Sequence, residues 1–329
     1  MKTKITLLLT ICFLSLAVLA IAQGTRGIGP YPSLGSCSVF PRVTTPATAS
    51  GLGDQSAWHQ DISQAPVDPN SDHYIAYINS HGGAMLHPDF GSPRSYGFPY
   101  TVVGAKTDKV PVHFTAYGSE SDPGPYYLPR SAAVEGGQNS SGDRHILVIN
   151  RSRCRLYELY HAFFKAKPRP HFNADQASNW DLNSAALRPQ GWTSADAAGL
   201  PIFPGLVRYD EIQNGVINHA IRVTLDSTQN AWINPASHCA GDTSNSNAPP
   251  MGLRLRLRGN YDLSGFTGAA QVIAVALEHY GLIVADNGSN WFFGGTSDQR
   301  WNNSNLDQLK SIPGSAFEVI QSASGVHTC

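Results

Sequence analysis

The stretch His145-Ile-Leu-Val-Ile-Asn-Arg-Ser-Arg-Cys-Arg-Leu-Tyr-Glu-Leu-Tyr160 predicts two short β-strands joined by a turn. Residues 145–150 form the first strand, Arg151-Ser-Arg153 turns the chain, and residues 154–160 form the second strand. Successive side chains of a strand point to opposite faces of the sheet. The second strand therefore has two different faces, one with Arg155, Tyr157 and Leu159, and the other with Leu156, Glu158 and Tyr160.

Further strands are predicted on the C-terminal side of this hairpin. Residues 206–211 and 217–224 flank Asn214-Gly215, and Asn-Gly between two β-like runs predicts a second hairpin. Leu253-Arg-Leu-Arg-Leu-Arg258 alternates without a break, which predicts a strand with an apolar face and a basic face. Further short strands are predicted at 100–103, 110–117, 281–286, 291–293 and 316–320.

Helical spacing is confined to a few segments. Residues 71–80 and 269–280 each carry an apolar stripe, and Gly281 closes the second helix. A short helix at 306–309 is a third candidate. No alternation of strands and helices supports a parallel doubly wound sheet. We therefore predict a mainly β (α+β) fold, as a single β-sandwich or distorted barrel with two or three peripheral helices.

The N-terminus has the pattern of an export signal. Lys2 and Lys4 precede an apolar run that ends in Ala20-Ile-Ala22, which predicts a signal peptide cut before Gln23. A membrane anchor is the alternative, but the run is short for a span and no basic cluster follows it. We expect residues 1–22 to be the signal peptide, 23–56 a Gly/Pro/Ser/Thr-rich strap, and 57–329 one globular β-rich domain. The mature protein is then secreted, extracellular or periplasmic, with no membrane contact after cleavage.

Charge and cysteine content narrow the class of protein. The chain has 23 basic and 24 acidic residues, and loss of Lys2 and Lys4 gives the mature chain a formal net charge of −3. This balance argues against a nucleic-acid partner. Four cysteines remain after cleavage, which predicts two disulfides in an oxidising compartment with three possible pairings. They are Cys37, Cys154, Cys239 and Cys329. The alternative makes Cys239, beside His238, a thiol nucleophile.

Several strings resemble those of a family of secreted, mostly bacterial proteins with no assigned function. They are Glu135-Gly-Gly, Gly142-Asp-Arg-His, the run Leu187–Pro201, Val207-Arg-Tyr-Asp-Glu, His219-Ala-Ile-Arg, Pro250-Met-Gly-Leu-Arg and Ala285-Asp-Asn-Gly-Ser. The resemblance extends from about Trp58 to Ile320. It implies an exported domain, and it carries over no reaction and no catalytic residue.

Carboxylates near two strand-starting histidines are the candidate catalytic groups. We predict that Asp210, Glu211, Glu135 and His145 line one cleft. Cleavage of a glycosidic bond needs two carboxyl groups, one as acid and the other as base or nucleophile. The competing interpretation is that Arg144 and Arg208 pair with these acids only to hold the strands together.

Aromatic and amide side chains in loops are the candidate substrate-binding groups. Flat rings that stack on sugars, next to polar groups that bond hydroxyls, suit carbohydrate recognition. The predicted binding residues are His219, Trp192, Asp286, Asn287 and Trp291. The alternative for each ring is an ordinary place in the hydrophobic core.

Other chemistries have weaker support. His145, His219 and His238 lack His-x-His or His-Glu-x-x-His spacing, so no metal and no cofactor are expected. Ser194 fits a helix cap better than a nucleophile. The sequence thus favours a secreted carbohydrate-active enzyme, a glycoside hydrolase acting on an extracellular polysaccharide. A non-catalytic glycan- or cell-wall-binding protein is the alternative, and a structural envelope protein comes third.

Overall fold

A computed structural model describes residues 27–39, 56–91, 96–241, 243–322 and 324–329. These residues are mainly β, with a few helices and with curled sheets that form a half-barrel, so the predicted fold class is confirmed. The predicted signal peptide and much of the predicted strap lie outside the described residues. The described part of the strap packs on the body, where the ring of Tyr31 stacks on Tyr100 with centroids 3.6 Å apart.

The described strands are short and the helices few. The strands are β1 (His87–Pro88), β2 (Tyr100–Val103), β3 (Lys109–Val110), β4 (Val112–Phe114), β5 (Tyr126–Tyr127), β6 (Ile146–Asn150), β7 (Arg155–Tyr160), β8 (Phe163–Lys165), β9 (His171–Ala174), β10 (Gln176–Asp181), β11 (Ile221–Leu225), β12 (Ala231–Trp232), β13 (Arg254–Leu257), β14 (Leu282–Asn287), β15 (Phe292–Phe293), β16 (Phe317–Val319) and β17 (His327–Thr328). The α-helices are α1 (Ser71–Ser80), α2 (Tyr209–Gln213), α3 (Gly268–His279) and α4 (Asn303–Leu306).

Two sheets form most of the half-barrel. The larger sheet has the strand order β1-β15-β11-β14-β13-β16, with parallel pairs at β1–β15 and β11–β14. The smaller sheet has the order β10-β7-β6-β2. Short two- and three-stranded sheets, β12-β17, β3-β5 and β4-β9-β8, complete the strand pairing in the part of the chain that is described.

The predicted hairpin at 145–160 is confirmed as β6 and β7, which pair antiparallel. It lies between two hydrophobic cores, which explains its apolar sequence. Leu156 and Tyr160 face the larger core, whereas Tyr157 and Leu159 face the smaller one. Because both faces are covered, Glu158 is buried on the side of the larger core.

The second predicted hairpin is wrong, because its first strand is absent and β11, which corresponds to its second strand, pairs with β14 and β15. Residues 209–213 form α2 instead of the end of a strand, so Asp210 and Glu211 lie on a helix. The Glu211 carboxylate accepts the Arg208 backbone N–H at 3.0 Å, which closes a capping box at the first turn. Gly215, with φ of +72°, ends the turn after the helix. The Asn-Gly pair therefore serves as a helix-terminating signal, and β11 begins only at Ile221.

The alternating strand β13 is buried on both faces. Arg254 donates to the side chain of Gln60, and Arg256 donates to the Ile62 carbonyl and to Glu318 at 2.8 Å. The predicted basic face is thus an internal one, because the segment at 60–62 and β16 supply acceptors for its guanidinium groups.

Both predicted disulfides are present. Cys37 is bonded to Cys154, and Cys239 is bonded to Cys329. Since the Cys239 sulfur is used in a disulfide, the thiol-nucleophile alternative is wrong. Among the described residues, no helix combines the length and the apolar character that crossing a membrane requires.

Candidate active site

A buried arginine is the centre of the strongest polar cluster. Arg222, on β11, donates from Nε to Asp196 Oδ2 at 2.7 Å and from Nη2 to Asp196 Oδ1 at 2.5 Å. Both side chains are removed from solvent, and the two-pronged geometry matches a guanidinium to a carboxylate. Asp196 lies in the loop before Leu200. The backbone N–H of Ala198, in the same loop, donates to the carbonyl of Ala285 on β14. The loop therefore delivers Asp196 onto the face of the larger sheet.

A second carboxyl group, Asp286, adjoins this pair. Its Oδ2 lies 4.0 Å from Arg222 Nη2, and 27 % of its side chain is exposed. Burial raises the pKa of Asp286 to about 8, with a further contribution from the negative charge of the neighbouring Asp196. When two carboxyl groups share a site, the charge of one disfavours ionisation of the other. Because Asp196 already accepts two N–H groups from Arg222, the proton belongs to Asp286.

A histidine–glutamate pair forms another part of the site. His145 Nδ1 lies 2.6 Å from Glu135 Oε2, and His145 Nε2 lies 2.9 Å from the Ala195 carbonyl oxygen. Both partners are acceptors, so both ring nitrogens donate, as in an imidazolium. Burial alone would lower the pKa of His145, but the Glu135 carboxylate raises it to about 9. In turn, His145 lowers the pKa of Glu135 against the opposing effect of burial.

The two parts of the site are electrostatically connected. Arg222 interacts with both Asp286 and Glu135, and the Asp196 charge acts on His145. Phe98 lies between them, with its ring centroid 5.1 Å from the Arg222 guanidinium carbon and 5.4 Å from the His145 ring. The charged and titratable groups form what is hereafter called the Asp286 cluster, which comprises Glu135, His145, Asp196, Arg222 and Asp286. Its solvent-facing members are Asp286 and Glu135, the latter with 26 % of its side chain exposed.

A buried glutamate supports the cluster from the core. Glu158 on β7 accepts the backbone N–H groups of Ile202 and Phe203 at 3.0 and 2.8 Å, and the indole N–H of Trp180 at 3.1 Å. Burial raises the pKa of Glu158 to about 7. Since it has no exposure to solvent, Glu158 anchors the turn at 202–205 and does not reach a substrate.

Asp210 and Glu211 take part in other contacts. Glu211 forms an ion pair with Arg208 and a hydrogen bond with His219, whose Nε2 lies 3.0 Å from Glu211 Oε1. Asp210 pairs with Arg300 at 2.8 Å. The structure thus brings two of the four predicted catalytic residues, Glu135 and His145, into contact, and gives Asp210 and Glu211 separate partners.

The predicted substrate-binding residues are divided in the same way. Trp291 is fully buried in the core and His219 is almost so, and neither presents a ring to a ligand. Trp192 is half-buried beneath the Arg188 guanidinium at 5.3 Å. Asn287 is exposed, yet its amide donates to the Ala240 carbonyl and its oxygen accepts from Thr228. Of the five, Asp286 alone belongs to the cluster.

Asp196 and Arg222 are functional candidates that the sequence reasoning did not select. Asp196 stands in Thr193-Ser-Ala-Asp, where a helix cap was predicted, but Ser194 instead bonds the Asp196 N–H and carbonyl within a turn. The sequence feature that could have pointed to Asp196 is the string Leu187–Pro201, which contains this residue and carries part of the family resemblance.

Within the described ranges, no group of three or more His, Cys, Asp or Glu side chains is arranged to hold a metal ion. The chemistry that the residues of this site offer is proton transfer by Asp286 and charge stabilisation by its neighbours. None of the protein-family models, curated proteins or solved structures compared with this chain matches it.

Proposed function

We propose that this protein is a secreted glycoside hydrolase that acts on an extracellular polysaccharide, with Asp286 as its general acid. One observation carries the proposal: the partly exposed Asp286 carboxyl group lies 4.0 Å from Arg222 Nη2, whose charge is already paired with the buried Asp196. In this position, burial and the Asp196 charge raise the pKa of Asp286 to about 8. A carboxylic acid that keeps its proton near neutral pH is what protonation of a glycosidic oxygen requires.

The roles of the other residues follow from their contacts. Asp286 gives its proton to the leaving oxygen as the bond from that oxygen to the anomeric carbon breaks. Glu135, kept ionised by His145, takes a proton from the water that attacks that carbon. Arg222 and Asp196 hold the Asp286 carboxyl in place, and they are positioning residues because Asp196 has no solvent exposure.

Secretion is part of the same proposal. Two disulfides support an oxidising compartment, and the N-terminal pattern of Lys2 and Lys4 before an apolar run supports export. The substrate is then an extracellular or cell-wall glycan, and nucleic acid is not a partner. A non-catalytic glycan-binding protein is the second candidate, because the half-buried His87 and Phe292 rings stack on the face that carries Asp286.

The test is a panel of cellulose, chitin, xylan, β-1,3-glucan and peptidoglycan, assayed for released reducing ends. Asp286→Asn should lower kcat roughly 100- to 10,000-fold, the usual contribution of general acid–base catalysis. Glu135→Gln should show a loss of similar size. Asp108→Asn, which changes an exposed carboxylate elsewhere, is the matched control and should keep full turnover. Full turnover by Asp286→Asn would refute the proposed role, and binding without hydrolysis by the wild type would favour the second candidate.

A further inference from the structure

Four residues form a continuous row across four adjacent strands of the larger sheet. His87 on β1 pairs with Phe292 on β15, and Phe292 pairs with Thr224 on β11. Thr224 lies opposite Asp286 on β14, directly after a register shift between Val223 and Thr224. Laterally paired residues project from the same face of a sheet, and the 4.0 Å between Asp286 Oδ2 and Arg222 Nη2 keeps Asp286 on the face that Arg222 shares with Thr224. At the normal strand spacing, the row is about 14 Å long. Asp286 stands at one end of this row and His87 at the other.

A groove of about 420 Å³ lies at the His87 end of the row. The His87 and Phe292 rings are stacked in it, with centroids 4.0 Å apart and planes within 7°. Polar and apolar groups share the remaining lining, which includes Gly83, Met85, Asp226 and Ser289. Flat apolar surface beside hydrogen-bonding groups is the combination that recognises a sugar ring and its hydroxyls.

The wall of this groove is held in shape by Asn290. Its buried amide donates to the carbonyl oxygens of Ile78 and Gly83 at 2.7 and 2.8 Å. Gly82 has φ of +134°, and a Cβ at that position would approach Asn290 Cβ to 3.0 Å. Gly82 and Gly83 are therefore held against Asn290, in the turn before β15, by specific contacts, as expected of a preformed binding site.

The charge of the groove favours a neutral ligand. Burial, helped by Lys310, lowers the pKa of His87, so its ring is uncharged at neutral pH. Asp226 contributes an exposed carboxylate to the lining of the groove. The Asp226 carboxylate would repel a carboxylated or sulfated sugar, whereas the hydroxyl groups of a neutral sugar can donate hydrogen bonds to it.

We propose that this groove is a distal sugar-binding subsite in line with the Asp286 cluster, and that the ligand is a neutral oligosaccharide or polysaccharide lying across β14, β11, β15 and β1. The choice of ligand rests on the proposed function. The groove and Asp286 lie at opposite ends of this row, about 14 Å apart, so a chain of several sugars is long enough to reach both. A short substrate that reaches only Asp286 does not use the groove.

Two glycines allow a sharp test. A Cβ at Gly83 meets nothing within 4 Å, and the residue lies outside the left-handed backbone region, so Gly83→Phe adds a large ring to the lining of the groove without strain. Gly265 is equally open and exposed but does not line the groove, which makes Gly265→Phe the matched control. Phe292→Ala and Asp226→Ala are second variants that remove a ring and a carboxylate.

Binding is measured apart from turnover. In an Asp286→Asn background, cellohexaose, chitohexaose, xylohexaose and laminarihexaose are titrated calorimetrically at neutral pH. Gly83→Phe and Phe292→Ala should each raise the Kd for the hexasaccharide that binds about tenfold or more, which is the equivalent of one lost stacking contact. Gly265→Phe should leave the Kd unchanged. In the active protein, Gly83→Phe should raise KM for the hexasaccharide and leave hydrolysis of 4-nitrophenyl monosaccharides unaltered.

The outcomes separate this inference from the proposed function. Hydrolysis of hexasaccharides with unchanged Kd and KM in Gly83→Phe and Phe292→Ala would overturn the subsite and leave the hydrolase. Binding that Gly83→Phe abolishes, in a wild-type protein that hydrolyses nothing, would support the subsite and overturn the hydrolase. If no hexasaccharide binds the Asp286→Asn protein or the wild type, the subsite is wrong.

Discussion

The carboxyl groups of Asp196 and Asp286 share one guanidinium group, that of Arg222. The cation is shared unequally: Arg222 Nη2 lies 2.5 Å from Asp196 Oδ1 and 4.0 Å from Asp286 Oδ2. One positive charge compensates one carboxylate, so the second carboxyl group keeps its proton. This inequality makes Asp286 an acid at neutral pH, and it can be tested through stability as well as through activity.

Replacement of Asp286 by asparagine should make stability less dependent on pH. An aspartate in the unfolded chain ionises near pH 3.9, whereas the pKa of Asp286 in the folded protein is about 8. The folded state therefore holds an extra proton between these values, and the stability that this residue contributes falls as the pH rises from about 4 to about 8. The asparagine side chain of the variant would be neutral throughout.

The measurement is the melting temperature of both proteins at pH 5 and pH 8. The melting temperature of Asp286→Asn, relative to that of the wild type, should be higher at pH 8 than at pH 5. Turnover by the variant should be lost at both pH values. A constant difference across this range would contradict the raised pKa of Asp286. Asp108→Asn serves as the control, with an exposed carboxylate and no expected change in the pH profile.

Removal of the Arg222 charge should be far more destabilising than removal of a surface arginine. Arg222→Met leaves Asp196 buried without its counter-ion, and breaking such a pair costs about 3–5 kcal/mol. Arg155→Met is the matched control, because Arg155 and Asp181 are each 40 % exposed at 3.4 Å. Its effect should be about 0–1 kcal/mol. Urea unfolding of the two variants gives both values, and equal small losses would show that Arg222 is not a buried counter-ion.

Local patterns predicted much of the fold, because they depend on neighbouring residues. The alternation at 154–160 gives β7 with its two faces correctly assigned, and the stripe at 269–280 gives α3. Asn214-Gly215 was misinterpreted because the same pair of residues occurs both in hairpin turns and at the ends of helices. The helix is favoured by a contact at the other end of the segment, where the Glu211 carboxylate accepts the Arg208 N–H.

The candidate site was less predictable, because it depends on contacts between distant segments. Asp196 and Arg222 are 26 residues apart, and no period or spacing in the sequence indicates that the loop at 196 docks on β11. Glu135 and His145 were selected together because Glu135 lies close in sequence to a histidine that starts a strand, and they are in contact. Trp291 illustrates the opposite error: a ring within a polar turn sequence was taken as a sugar-binding surface, yet it fills the core.

The Glu135–His145 pair should make stability fall at alkaline pH. The pKa of His145 is raised from its ordinary value of 6.5 to about 9 by Glu135. A raised pKa adds stability that is complete below about pH 6.5 and is lost as the pH rises through about 9. Glu135→Gln should therefore be clearly less stable than the wild type at about pH 6 and nearly equal to it at about pH 9.5.

Melting temperatures over this range test the assignment. Asp61→Asn is the control, because Asp61 pairs with His279 at 3.1 Å on the surface, where both side chains are about half exposed. Surface pairs contribute little, so this variant should follow the wild-type profile. If the melting temperature of Glu135→Gln also follows the wild-type pH profile, the ion pair with His145 does not stabilise the folded protein.

Glu211 and Asp210 provide the decisive comparison for the catalytic assignment made from sequence. Glu211 accepts from the Arg208 backbone and side chain and pairs with buried His219. Glu211→Gln should therefore lower the free energy of unfolding by about 1–3 kcal/mol, the cost of leaving buried partners unsatisfied. Its turnover per folded molecule should equal that of the wild type. Asp210→Asn, which changes a carboxylate that is 55 % exposed in its pair with Arg300, should be nearly neutral in both respects.

The comparison is read from kcat and melting temperature on the same samples. If Glu211→Gln lowers kcat about 100-fold or more and leaves the melting temperature unchanged, the result would support a catalytic role for Glu211 and argue against the role proposed for Asp286. A lower melting temperature with full kcat would place it with the residues that hold α2 against β11. The contacts of Glu211 favour the second result, because its carboxylate oxygens are occupied by Arg208 and His219, and the side chain is 15 % exposed.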